Sequence, residues 1–100
     1  MPEQLSDAAR VLGERIRDAR LELGLSQEEV ANLASINVSN YGKVERGLSN
    51  PTFHMLVRVA SVLNVDPGAL VAGLTAEQLP ELPKSFSAID YIREKQAHSA

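Results

Sequence analysis

The chain has no cysteine and no tryptophan, only 4% aromatic residues, and no basic block anywhere in its 100 residues. Without cysteine there can be no disulfide framework, no thiol nucleophile and no cysteine-ligated zinc. Nothing then points to an oxidising compartment, and the cytoplasm is the expected location. Apolar runs extend over only a few residues, too short for a membrane-spanning helix. The opening stretch MPEQLSDAAR also lacks the basic and apolar regions of a signal peptide. The two histidines, His54 and His98, have no ligand spacing around them, so no metal site is expected. A Gly-x-Ser-x-Gly elbow, a glycine-rich phosphate loop and paired catalytic carboxylates are all missing. The sequence is therefore expected to be neither an enzyme nor a cofactor carrier.

What is present is a succession of short amphipathic segments, 44% of the chain being hydrophobic. Leu5, Ala9, Leu12, Ile16, Ala19 and Leu23 follow one another at steps of three and four, one face of a first helix. Ser6 or Asp7 caps its start, and Gly24 suits the left-handed residue that ends many helices. Ser26 with Glu29 forms a capping-box signature for a second helix, with Val30, Leu33 and Ala34 on its apolar side. Asn37 can cap a third, in which Tyr41 and Val44 pack inward, the Tyr41 hydroxyl at the rim, and Gly47 closes the segment. Asn50, Pro51 and Thr52 make a turn and cap before a fourth, with Phe53, Leu56, Val57, Ala60 and Leu63 on one face. Asp66-Pro67 opens a short fifth helix through Leu70. The expected fold is all-α, a five-helix domain over residues 1–74. Residues 75–84 form a Pro-containing linker and residues 85–100 an amphipathic tail helix.

Two short helices meeting at a tight turn carry a family likeness. The stretch LGLSQEEVANLASINVSNYGKVERGLSNPTFHMLVRVASVLNVDP resembles the phage repressor and Cro type of helix-turn-helix. Leu25-Ser26-Gln27-Glu28-Glu29, then Glu45-Arg46-Gly47, then Asn50-Pro51 stand in the order and spacing of that family. The resemblance implies a DNA-binding transcriptional regulator that docks helices two and three, about Gln27 to Ala34 and Val38 to Arg46, in the major groove. The third helix would read bases. It implies that Gln27 grips a backbone phosphate and Arg46 does likewise, and that Arg20 and Glu45 form a structural ion pair tying the reading helix to the scaffold. Asn37, Val38, Ser39, Asn40, Gly42 and Lys43 complete the expected DNA-binding set. Asn40 suits adenine, Lys43 guanine, and Val38 a thymine methyl. Gly42 weakens the helix by about 1 kcal/mol relative to alanine, so it needs a reason, and close approach of backbone to DNA would be one. Two positions depart from the pattern: Ser35 stands where the turn usually has glycine, and Val38 where glutamine is common.

Charge constrains this reading. Lys and Arg number 10 against 13 Asp and Glu, a formal charge of -3. DNA affinity comes chiefly from neutralising phosphates, so binding must rest on a few well-placed cations and polar side chains, doubled in a homodimer. Phe86, Ile89 and Ile92 recur at helical spacing in the tail. They either fold back on their own domain or, preferably, bury against a second copy. Double-stranded DNA and a second copy are thus the expected partners. An antitoxin whose tail binds a protein partner, or a pure interaction module on the same fold, are the alternatives.

Overall fold

The computed structural model describes residues 3–82 and 87–98, and among these every regular element is a helix. Helix α1 (Asp7–Glu22) starts where the Ser6 hydroxyl accepts the Ala9 amide at 3.0 Å. It ends at Gly24, whose φ of +71° lets the Leu25 amide return to the Arg20 carbonyl. Helix α2 (Gln27–Leu33) opens with a complete capping box: the Ser26 hydroxyl accepts the Glu29 amide at 3.0 Å, and the Glu29 carboxylate accepts the Ser26 amide at 2.9 Å. The Ser26 amide, donating to that carboxylate, and secondly the Ser26 hydroxyl beside it hold the Glu29 carboxyl below its ordinary pKa.

The turn after α2 passes through Ser35 in the left-handed region, φ +57°. The turn keeps its left-handed shape even though serine meets a strain there that glycine would not. From it the Ile36 amide reaches back to the Ala31 carbonyl at 2.8 Å, and Asn37 then caps α3 (Val38–Glu45) by accepting the Asn40 amide. Helix α4 (Phe53–Leu63) is capped by Thr52. Asp66 precedes α5 (Pro67–Val71) at the cap position, but its side chain makes no capping bond, so Pro67 alone marks that start. A 3-10 turn, Ala76–Gln78, comes next, and α6 (Ala88–His98) follows.

One core joins α1 to α5: Leu12, Ile16, Val30, Ala31, Ala34, Tyr41, Val44, Val59, Ala60, Leu63 and Leu70. Several expected inward residues lie elsewhere. Leu5 precedes α1 and is half-exposed, its amide tied to the Gly47 carbonyl, while Leu23 lies at the C-cap beyond the buried face. The inner stripe of α1 runs Leu12, Ile16 and Arg20, with Ala19 packed beside it and Arg20 buried in the pair with Glu45 that the resemblance implied. Leu33 is 67% exposed and Ala31 packs inward in its stead. On α4, Phe53 is 75% exposed and Val57 36%, because the helix turns Leu56, Val59, Ala60 and Leu63 toward α2 and α5. Steps of three and four admit both stripes, and only the neighbours decide between them. Two glycines bring α1 against the end of α3. A Cβ at Gly13 would run into the Val44 and Glu45 carbonyls, 2.8 Å from the Glu45 carbonyl carbon. One at Gly47 would stand 3.0 Å from the Arg10 Cα. From α1, Arg15 also donates to the Leu70 and Ala72 carbonyls at 3.1 and 2.7 Å, satisfying the open end of α5.

Candidate nucleic-acid interface

Helix α3 is divided lengthwise. Tyr41, Gly42, Val44 and Glu45 are buried, whereas Val38, Ser39, Asn40 and Lys43 are exposed, as are Asn37 at the N-cap and Arg46 at the C-cap. Two short polar side chains, one cation and one β-branched apolar group thus share an outward face near the helix start. Such a face can offer hydrogen bonds to base edges and an apolar contact to a thymine methyl. Half of Asn37 is already committed, its Oδ1 accepting the Asn40 amide at 3.2 Å.

Beneath that face lies a buried charge network. The Arg20 Nε donates to Glu45 Oε2 at 2.7 Å and Nη2 donates to Oε1 at 2.9 Å, a two-pronged pair between α1 and α3. Arg20 Nη1 donates to the Leu25 carbonyl at 2.9 Å, and the Gln27 amide nitrogen donates to Glu45 Oε1 at 3.0 Å. Burial works to raise the Glu45 pKa. The hydrogen bonds from Arg20, the neighbouring Tyr41 hydroxyl and the bond from Gln27 outweigh it, and the carboxyl ends below its ordinary value. The Glu45 carboxylate in turn raises the Arg20 pKa. Tyr41 does not have its hydroxyl at the rim: the residue is 0% exposed and its OH is buried without a hydrogen-bond partner among the described residues. Burial, then the adjacent Glu45 carboxylate, pushes the phenol well above its ordinary pKa.

Gly42 is covered by side chains. The position its Cβ would take is 3.0 Å from Arg46 Nη1 and 3.4 Å from Gln27 Oε1. Sequence reasoning passed over Gly13, Arg15 and Arg17. A glycine in the middle of an otherwise strong helix was a readable signal for the first. For the arginines the sequence carried none, since they are distinguished by where the fold places them. Arg17 lines an open groove beside α3 with Arg46, Gln27, Glu3, Asp7 and Glu14. Acids thus stand close to the cations of this face. In the tail, Ile89 is 58% and Ile92 46% exposed, with no residue of α6 buried, and Phe86 lies outside the described residues.

Residues 16–70, more than half of the chain, match the family described as Helix-turn-helix. An uncharacterized HTH-type transcriptional regulator, YonR, derived from the SPbeta prophage of Bacillus subtilis, is 31% identical over 67 residues. The match covers 67% of this chain and 62% of that relative's length. Among solved structures, the restriction-modification controller protein C.AhdI from Aeromonas hydrophila has a TM-score of 0.61 at 35% identity, over 62% of this chain and 94% of that one. The biofilm master regulator SinR, in complex with DNA, has a TM-score of 0.57 at 37% identity, over 59% of this chain and 95% of that one.

Proposed function

Because this chain belongs to the helix-turn-helix family, we propose that it is a DNA-binding transcriptional regulator, and not an enzyme, that reads a two-fold operator as a homodimer. The lengthwise division of α3 carries the reading. Its inner face is locked to the core through Tyr41, Val44 and Glu45, and its outer face is left to Val38, Ser39, Asn40 and Lys43. In this reading those four side chains meet base edges in the major groove, while Asn37 and Arg46 meet the flanking backbone, supported by Gln27 and by Gly42 beneath the Arg46 side chain. Comparison with a DNA-bound regulator of the same fold supports it. The relatives favour a regulator over the antitoxin and interaction-module alternatives.

The division into a domain of residues 1–74, a linker of 75–84 and a tail of 85–100 belongs to the same proposal. One domain presents one reading helix, and a net charge of -3 leaves little general attraction to DNA. A second copy doubles the reading helices and the few cations beside them, on half-sites about 34 Å apart. The exposed Ile89 and Ile92 of α6 are assigned to that pairing. Such a regulator works in the cytoplasm, where its operator is.

The decisive experiment is unbiased selection of bound duplex DNA by the purified chain at two salt concentrations. A two-fold symmetric consensus with half-sites one helical turn apart is expected. With Lys43→Ala, binding should weaken and the preference relax at one position in each half-site, by about 1–3 kcal/mol of discrimination. Recovery of no consensus, with no salt-dependent binding, would defeat the proposal.

A further inference from the structure

Resting on the operator reading above, the geometry points to Gly42 and Gln27 as positioning residues that seat the Arg46 guanidinium against α3 for a DNA backbone phosphate. Arg46 lies four residues beyond Gly42, so its side chain runs back over the turn that Gly42 occupies. Glycine leaves that place open. A Cβ there would stand 3.0 Å from Arg46 Nη1 and 3.8 Å from Cζ, closer than an alanine and a settled guanidinium tolerate.

The other wall of the seat is an oriented amide. Gln27 gives its nitrogen to Glu45 Oε1 at 3.0 Å, and Glu45 is itself held by both prongs of Arg20. The amide oxygen of Gln27 is thereby turned toward the same space, 3.4 Å from where a Gly42 Cβ would be. An oxygen is an acceptor and a guanidinium is purely a donor, so the polarity of the wall suits Arg46. The Arg46 side chain is exposed and forms no hydrogen bond or ion pair among the described residues, with Gln27 or otherwise, leaving its N–H groups for an oxygen anion. The buried Arg20–Glu45 pair then does more than join two helices. Through Gln27 it fixes which side of an amide faces the phosphate-binding arginine.

Salt dependence separates this from a direct role for Gln27. Each phosphate neutralised by a cation adds about 0.9 to the slope of log affinity against log salt. A neutral side chain that touched phosphate on its own account would add nothing. The probe is random-sequence duplex DNA, titrated with the full chain at four salt concentrations. Arg46→Gln should lower the slope by about 0.9 per protomer bound. Gln27→Ala, although it removes no charge, should lower it by most of the same amount, and should lower it no further in the Arg46→Gln background. Gly42→Ala should match Gln27→Ala with its thermal melt little changed, because the atoms in its way are the flexible end of Arg46. Loss of folding alone reduces the competent fraction and leaves the slope as it was. A parental slope in Gln27→Ala would overturn the inference, whatever Gly42→Ala does. No salt-dependent binding by the parent would instead overturn the operator reading beneath it.

Discussion

Helices α3, of eight residues, and α6, of eleven, are both amphipathic and opposite in circumstance. In α3, Tyr41 and Val44 are almost wholly buried, and Glu45 is pinned from α1 by Arg20 at 2.7 Å. In α6 no residue is buried, and its apolar residues Ile89, Tyr91 and Ile92 are all open. The difference shows what makes a surface assignable. Once one side of a helix is locked to a core, the other side is determined, and its chemistry can be read as an interface. A helix with neither side locked displays its apolar groups without saying what meets them. Its role must then come from elsewhere, in the proposal above from the need of a single reading helix for a second copy.

Breaking the lock is expected to have the largest effect. Arg20→Ala leaves the Glu45 carboxylate buried and unpaired, at a cost of about 3–5 kcal/mol by denaturant unfolding. A variant as stable as the parent would show that the pair does not anchor α3. The same lock gives a pH signature. Glu45 ionises more readily in the fold than in the unfolded chain, so below its ordinary pKa of 4.5 the unfolded state binds more protons. Its contribution is present above that pH and is lost as pH falls through the lower folded value. Thermal melts from pH 7 to 3 should therefore decline less steeply for Glu45→Gln than for the parent.

Gly13→Ala should come next, at about 3 kcal/mol, since the added carbon meets backbone carbonyls of α3 that cannot turn aside. A smaller change sharpens the contrast from the other side. Ser35→Gly relieves a left-handed serine and should raise stability by up to about 1 kcal/mol, part of the gain being offset by the freer unfolded chain. Smallest of all, Ile89→Ser with Ile92→Ser should leave the unfolding of α1–α5 within about 0.5 kcal/mol, because neither side chain touches that core. Sedimentation should at the same time show the dimer weakened. An unchanged dimer would remove α6 from the interface.

The sequence was most legible where geometry is local. Gly24, the Ser26–Glu29 box, Asn37, Gly47 and Thr52 mark helix ends because a cap or a positive φ is decided within a few residues. It was less legible where the answer depends on what lies opposite. Leu33, Phe53 and Val57 satisfy the helical period yet face outward. A stripe records only that a face is eligible for burial. The candidate interface was legible as a set of exposed positions along α3. The cover over Gly42 was not: Arg46 Nη1 and Gln27 Oε1 stand 3.0 and 3.4 Å from where its Cβ would be, and Gln27 becomes its neighbour only after folding.

The contact at Gly13 also limits how such a protein can change. With α1 lying backbone to backbone on the end of α3, small adjustments in the core neither tilt nor slide α3. New operator preferences, in the reading proposed here, must then arise by exchanging the outward side chains at Val38, Ser39, Asn40 and Lys43 on a fixed rail. Those exposed positions are where descendants of this chain can diverge in specificity while the packing beneath them stays the same.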